Sequence, residues 1–266
     1  MTTTNDLHLK MRNKILYIIL ALILLILWEY FGRTNNAVRI FISSPSLSYN
    51  YFIENHSNLL LATVTTFYES LMGLIIATLF SFLLMIVCFY KPPFLNFILP
   101  IMVSSQVIPI IVFAPFIVLL LGIGAASKIV MASIISFFPI FINFCTGYNS
   151  IQKNILELLE IYNADKTFRI FKVYFPLSLQ NIFTGLKISS TLAVIGAIVA
   201  EFTGAETGLG KNLFLGSIRL EPELLVNSVV LSALLGGALF SIIYLLERYF
   251  GKWYVNNYNF NEQQKI

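Results

Sequence analysis

Charged residues are scarce in this chain of 266 residues. Asp, Glu, Lys and Arg make up 11% of it, whereas a soluble domain usually carries about 25%. So few charges cannot cover a surface that faces water, which argues against a soluble enzyme. Because 58% of the residues are hydrophobic, intrinsic disorder is excluded as well. The composition therefore predicts an integral membrane protein with little chain left for a soluble domain.

Cysteine and histidine are also rare. Cys88 and Cys145 both lie in apolar runs, which predicts small apolar side chains rather than a disulfide or a metal site. His8 and His56 are isolated and form no pattern of metal ligands. The sequence shows no pairing of a nucleophile with a base either, so an integral-membrane enzyme is not favoured. We expect no metal, no cofactor and no catalytic residue.

Apolar runs long enough to cross a membrane are abundant. Since a spanning helix needs about 20 apolar residues, we predict an all-α fold with six transmembrane helices in a single domain, 15–253. The predicted spans are 15–31, 71–90, 94–121, 129–148, 182–202 and 225–248. We expect the polar stretch Gly32–Asn58 to be a loop and the half-polar stretch 62–70 to lie at the membrane interface. The third span contains three prolines, which a membrane helix tolerates where neighbours satisfy the freed carbonyl groups.

Lys and Arg are distributed unevenly over the predicted loops. With the N-terminal segment 1–14, the turn 90–93, the loop 149–181 and the C-terminal stretch 248–266, which includes the tail 254–266, on one side, that side holds eleven of them and the other side five. Cytoplasmic loops carry the excess of positive charge, so we predict that both termini are cytoplasmic. The same rule accounts for the net charge of +4, which therefore does not indicate nucleic-acid binding.

The loop 149–181 predicts two short helices. Asn154–Tyr162 has an apolar face and an acidic face, and Asn163 follows where the chain must reverse. Asn tolerates the left-handed conformation better than most residues. Asp165 is placed to cap a second helix, about 166–173, which we expect Pro176 to end. Such a helix-turn-helix is either a docking site for a partner or a solvated connector.

This loop resembles the EAA loop in the permease subunits of binding-protein-dependent ATP-binding-cassette (ABC) importers. That pattern has Glu-Ala-Ala, then Gly, then Pro, and the matching residues here are Glu157, Leu158, Leu159, Asn163 and Pro176. Further stretches resemble the sulfonate, nitrate, taurine and thiamine-precursor branch of these permeases over about 40–250. They are Ser43–Leu47, Val107–Pro115, Leu121–Gly124, Phe137–Pro139 and Val199–Gly210. The spacing Glu-x-x-Gly-Ala-x-x-Gly-Leu-Gly in Val199–Gly210 is the most specific of these signals.

The resemblance implies a permease in the prokaryotic cytoplasmic membrane that forms a dimer, either a homodimer or a heterodimer. A small polar solute, an organic anion or a vitamin-type compound, would pass between the two copies after delivery by an extracytoplasmic solute-binding protein. Separate ATPase subunits would supply the energy. The implied ATPase-coupling residues are Glu157, Leu158, Leu159, Asn163, Ala164 and Pro176. The candidate pathway residues are Glu201, Gly196, Ala200, Pro109 and Pro115.

The chain itself departs from an ATP-binding loop. The closest stretch, Ala205–Asn212, has Ala in place of the first Gly and Asn in place of the Ser or Thr that holds magnesium. We therefore expect a non-catalytic subunit. The alternative is an ion-coupled secondary transporter, which would need paired buried charges or repeated halves, and the sequence suggests neither.

Several features of the predicted spans have two interpretations. Small residues recur at helical spacing in the fifth span, including Gly196 and Ala200, and would line either a subunit interface or a contact within one subunit. Glu201 is either a pathway residue or an interfacial carboxylate. We expect Glu69 at the interface and Lys187 to extend its ammonium group towards the cytoplasm.

Overall fold

The computed structural model of the protein describes residues 2–34 and 43–258, with side chains for 16, 17, 19–34, 43–91 and 93–251. Every regular element in this part of the chain is helical, so the predicted all-α fold is confirmed there. The loop residues 35–42, the end of the predicted tail, 259–266, and the side chains of the predicted segment 1–14 lie outside the described residues.

The helices are numbered here in chain order. They are α1 (Thr2–Thr34), α2 (Pro45–Tyr90), α3 (Pro92–Ser105), a 3-10 turn (Ile110–Phe113), α4 (Ala114–Leu121), α5 (Ala125–Asn149), α6 (Lys153–Ile161), α7 (Lys166–Phe168), a π-helical turn (Arg169–Tyr174), α8 (Phe175–Thr203), α9 (Leu209–Arg219) and α10 (Pro222–Tyr258).

The chain divides into two compact units. The first consists of Met1–Leu60 with Asn212–Val230, and the second of Leu61–Lys211 with Leu231–Ile266. In the first unit, Trp28 Nε1 donates a hydrogen bond to the Ser43 carbonyl oxygen at 3.0 Å. Glu29 accepts hydrogen bonds from the backbone N–H of Ser46 at 3.1 Å and from its hydroxyl at 2.6 Å. These bonds fasten α1 to the start of α2.

Close packing of α5 against α8 forms the core of the second unit. An added Cβ at Gly196 would lie 2.7 Å from the Cα of Ala132, and one at Gly185 would lie 2.8 Å from the Cβ of Asn143. Such distances show that the two backbones approach as closely as glycine permits. The small residues of the fifth predicted span, among them the fully buried Ala200, therefore pack within one subunit.

The structure corrects the predicted loop Gly32–Asn58. Helix α2 begins at Pro45 and continues to Tyr90, with non-helical dihedral angles only at Asn55. Proline suits the first turn of a helix because its missing N–H is not needed there. The half-polar stretch 62–70 is helical too, and hydroxyl groups such as that of Ser70 find their acceptor in the carbonyl of the preceding turn.

The third predicted span is sharply bent. Pro93–Ser105 and Ile110–Leu121 meet at 84°, and Pro109 between them is extended, with φ −60° and ψ 111°. Proline removes a backbone donor and disfavours a helical residue before it, which explains why the helix breaks here.

Four helical stretches of the described residues are long and apolar enough to cross a membrane, and the bent pair makes a fifth if it counts as one span. The four are Pro45–Tyr90, Ala125–Asn149, Lys166–Thr203 and Pro222–Gly251. The first predicted span, 15–31, lies within α1. The number of crossings stays a prediction.

Candidate functional site

The turn after α6 exposes most of the predicted coupling residues. Glu157 is exposed, and Leu158 keeps 54% of its surface. The end of the helix is more exposed still, with Ile161 at 79% and Tyr162 at 77%. Within α6 only Leu159 is buried. The helix therefore presents an acidic group beside large apolar side chains that are largely exposed in the described chain.

Backbone hydrogen bonds fix this turn. Asn163 has φ 49°, so it takes the left-handed conformation predicted for it. Its N–H donates to the carbonyl of Glu160 at 2.9 Å, and the N–H of Ala164 donates to the carbonyl of Leu159 at 3.0 Å. This pair of bonds is the Schellman motif that ends many helices. These bonds between near neighbours in the chain fix the direction in which the chain leaves α6.

Asp165 caps α7 as predicted. Its carboxylate accepts a hydrogen bond from the N–H of Thr167 at 3.0 Å. That bond favours the charged carboxylate and holds the pKa of Asp165 below its ordinary value. The cap fixes the start of the second arm of the turn.

Arg169 joins the two arms, and the sequence did not reveal it. Its Nε donates to the carbonyl of Ala164 at 2.8 Å, and its Nη2 donates to the carbonyl of Leu159 at 3.1 Å. A basic side chain near a helix C-terminus often bonds to the last carbonyl groups. Arg169 lies eight positions beyond the end of α6, however, so only the folded turn brings it there.

Pro176 does not end the second short helix, which corrects the prediction. The chain continues from α7 through the π-helical turn into α8, where Pro176 occupies the first turn. In the wide turn the N–H of Phe175 bonds to the carbonyl of Ile170, five residues back. A proline in the first turn of α8 is tolerated because its N–H would have no helical partner in that position.

A second, buried turn lies at the other end of α8. Glu201 is 1% exposed, and its carboxylate accepts hydrogen bonds from the hydroxyl of Thr66 and the N–H of Gly210, both at 2.6 Å. The Thr66 hydroxyl in turn accepts one from the N–H of Leu209 at 2.9 Å. The first N–H groups of a helix have no partner within it and favour a nearby negative charge. Glu201, nine positions before Gly210, and Thr66, from a distant part of the chain, thus cap α9.

The Gly-Leu-Gly sequence of this turn has a steric cause. Gly208 has φ 127°, and an added Cβ would lie 2.3 Å from the carboxyl carbon of Glu201. An added Cβ at Gly210 would lie 2.2 Å from the carbonyl oxygen of Ile198. Between them, Leu209 is fully buried. Only glycine lets this turn come so close to the end of α8.

Two further charged groups lie near Glu201. Glu69 is 3% exposed, its carboxyl group lies within hydrogen-bonding reach of Glu201, and its Oε2 has no partner among the described residues. Lys128 is 1% exposed and donates to the carbonyl of Ile123. The prediction that the spans hold no paired acids is therefore wrong. Whether Glu69 lies at the membrane interface stays a prediction.

Lys187 is also paired. Its Nζ lies 2.9 and 2.8 Å from the two carboxylate oxygens of Glu247 on α10. The ion pair does not test the prediction that the ammonium group extends towards the cytoplasm, which stays a prediction. Sixty residues separate the partners, and no local pattern links them.

The predicted site residues fall into separate groups. Pro176 and Glu201 are 25 positions apart, which is about 38 Å along α8, so the coupling turn and the Glu201 turn lie at opposite ends of this helix. Pro109 directly precedes the 3-10 turn, and Pro115 lies in the first turn of α4, which follows it. Gly196 and Ala200 lie on the face of α8 that meets α5.

Comparisons with known proteins found one matching family and several similar chains. Residues 88–255 match the family described as "Binding-protein-dependent transport system inner membrane component". A "Probable ABC transporter permease protein" of Haemophilus influenzae is 29% identical over 85% of this chain and 93% of its own length. The formylaminopyrimidine transport permease protein ThiX of Halalkalibacterium halodurans is 31% identical over 71% of this chain and 76% of its own. The putative aliphatic sulfonates transport permease protein SsuC of Bacillus subtilis is 27% identical over 56% and 54%.

Proposed function

Because the chain belongs to the family of binding-protein-dependent transport system inner membrane components, we propose that its α6–α7 turn docks a separate ATPase and couples ATP hydrolysis to solute passage. The chain is a multi-pass cell-membrane permease of an ABC importer. Such subunits are non-catalytic and work with an ATPase subunit and a solute-binding protein. The alternative, an ion-coupled secondary transporter, is not supported by the relatives.

One observation carries the coupling proposal: large apolar side chains are exposed on a rigid turn. A solvated connector does not need Ile161 and Tyr162 to be more than three-quarters exposed. Exposed apolar groups beside an acid typify a surface that binds another protein. The Schellman motif and Arg169 hold the angle between the arms, and a lever that transmits movement needs such stiffness. We assign Glu157, Leu158, Leu159, Asn163, Ala164 and Pro176 to this coupling element.

The proposal extends to orientation and assembly. We place both termini and the coupling turn in the cytoplasm, since that arrangement puts eleven Lys and Arg on the cytoplasmic side and five on the other. We propose a dimer, either of two copies or with a related chain, that encloses the pathway between its subunits. In the pathway proposal, Pro109 and Pro115 shape the bent third span. The packing of α8 supports the wall of the pathway through three residues, Gly196, Ala200 and Glu201.

The solute proposed is small and polar. Two of the relatives described above are named for a solute, one for formylaminopyrimidine and the other, as a putative permease, for aliphatic sulfonates. We propose a solute of one of these two classes for this chain. Competition for uptake between a pyrimidine and a sulfonate would separate the vitamin-type solute from the organic anion.

The coupling proposal is tested by removing the turn or reversing its charge. We expect Glu157→Lys, or deletion of residues 153–168, to abolish ATP-dependent uptake and weaken ATPase co-purification, while the chain still inserts into the membrane. Glu54→Lys is the matched control, because it reverses another exposed acid outside the turn. If the deletion variant transports at the normal rate, the turn is only a connector.

A further inference from the structure

The break in the third span leaves a polar side chain without a partner. Gln106 follows the last residue of α3 and is exposed. Its backbone N–H bonds to the carbonyl of Val103 at 3.1 Å. Its side-chain amide makes no hydrogen bond to any residue that the structure describes. An amide has two donors and an acceptor, so this group needs water or another molecule.

The depth of the break is set by the length of α3. The helix begins after Lys91, whose exposed charge marks the membrane surface. With 14 residues, α3 is about 21 Å long, whereas the hydrocarbon layer is about 30 Å thick. Gln106 therefore lies within the thickness of the membrane and not at its far surface.

Irregular backbone at this depth restricts what can surround it. The chain from Gln106 to Pro109 is not α-helical, and the N–H groups of Gln106, Val107 and Ile108 bond to carbonyl groups three residues back, not four as in an α-helix. Lipid-exposed irregular segments do not occur within the hydrocarbon layer, where such segments are buried in protein or line a water-filled cavity. Because Gln106 is exposed on the subunit, the cavity is the arrangement that satisfies both its amide and the broken backbone.

We infer that Gln106 lines the solute pathway and contacts the passing solute through its side-chain amide. The inference rests on the proposed permease function. The stretch 92–124 contains no charged residue, so this part of the pathway holds the solute by hydrogen bonds and not by an ion pair. An amide can both donate to and accept from the solute, which suits carbonyl, amino and ring-nitrogen groups alike.

Water exposure is tested by cysteine labelling in the complete transporter, with its ATPase and binding protein present. We expect Gln106→Cys to react with a charged, water-soluble thiol reagent more than about tenfold faster than Leu234→Cys. Leu234 is the control because it is an exposed apolar residue on α10, 64% exposed. The native Cys88 and Cys145 are buried and give a low background. Equal rates for the two variants would overturn the inference.

Contact with the solute is tested by substitution. We expect Gln106→Leu to lower uptake roughly fivefold, the effect of losing one hydrogen bond, while Gln106→Asn retains part of it. Both variants should keep wild-type membrane abundance and ATPase association, so a folding defect would be recognised directly. Wild-type uptake by Gln106→Leu would refute the contact and leave the permease function standing. Loss of ATP dependence in the unaltered transporter would instead refute the proposed function.

Discussion

The turns at the two ends of α8 are held by different means. At the start, the α6–α7 turn is exposed and relies on its own backbone bonds, on the Asp165 cap and on Arg169. At the end, the Gly208–Gly210 turn is buried and relies on Glu201 and on Thr66, which is 135 residues from Glu201 in the sequence. The first turn is built entirely from neighbours in the chain, whereas the second also needs a distant residue, Thr66.

The difference matters for how each turn can work. A turn stabilised locally can keep its shape while it moves as a body, which suits an element that receives force from an ATPase. A turn whose hydrogen bonds come from α2 and α8 cannot move away from them without leaving buried polar groups unpaired. We therefore expect substitutions at the exposed turn to affect coupling and those at the buried turn to affect folding.

The largest effect is expected at Gly210. In Gly210→Ala the new Cβ would lie 2.2 Å from the carbonyl oxygen of Ile198 and 2.9 Å from the backbone nitrogen of Phe202. Backbone atoms cannot move aside as a flexible side chain can, so we expect a loss of about 3 kcal/mol or more. The measurement is the yield of monodisperse protein in detergent and its thermal midpoint.

Gly237→Ala is the matched control for this substitution. No atom lies within 4 Å of an added Cβ there, and the residue is inside α10. Alanine is a better helix former than glycine by about 1 kcal/mol, so the control should be as stable as the wild type or more so. Similar losses in both variants would mean that the buried turn has no special steric demand.

A smaller loss of stability is expected for Glu201→Gln. The amide keeps the shape of the carboxylate but cannot accept hydrogen bonds at both ends, and one partner would be left unpaired. We expect a cost of about 1–3 kcal/mol. Adding Thr66→Val to Glu201→Gln should increase the loss of stability only slightly, since the two residues belong to one hydrogen-bond network. Thermal denaturation of both single variants and the double variant measures this, and additive losses would separate the two contacts.

The sequence revealed the exposed turn far better than the buried one. Asn163 and Asp165 obey rules that need only a few neighbouring residues, and both occupy the conformations expected of them. The Glu-x-x-Gly-Ala-x-x-Gly-Leu-Gly spacing pointed to Glu201, but its partner Thr66 and its neighbour Glu69 come from α2. Nothing in the pattern of a single helix indicates which distant side chain will face it.

The same limit applies to the bent span. Three prolines indicated that the helix between 94 and 121 is unusual, but local chemistry did not show which of them breaks it. Pro100 lies inside a regular helix, whereas Pro109 stands at an 84° bend. Both residues lack the N–H, so the outcome depends on whether the surroundings satisfy the freed carbonyl groups.

At the exposed turn, a substitution of Asn163 should affect coupling, whereas a substitution of Gly210 should affect folding. Valine is strained at φ 49°, and we expect Asn163→Val to cost about 1–3 kcal/mol and to lower uptake and ATPase co-purification. Asn163→Gly should retain both, because glycine takes this conformation freely. Uptake and co-purification are compared at equal membrane abundance. Wild-type behaviour of the valine variant would show that coupling does not require the left-handed turn.

The smallest expected effect is a pH dependence at Asp165. The N–H of Thr167 bonds to the charged carboxylate and lowers the pKa of this group in the folded protein. A carboxyl group with a lowered pKa stabilises the fold above its unfolded pKa, and that contribution is lost as the pH falls through the folded value.

The stability of the first turn of α7 should therefore be constant near neutral pH and should fall below about pH 4. Hydrogen exchange at the Thr167 amide measures this directly, because protonation makes the carboxyl group a weaker hydrogen-bond acceptor than the carboxylate. In Asp165→Asn the side-chain oxygen can still cap the helix but does not titrate, so exchange at Thr167, corrected for its intrinsic pH dependence, should be flat. A wild-type profile as flat as that of the variant would show that α7 does not depend on this charge, and would leave Asn163 and Arg169 as the groups that hold the exposed turn.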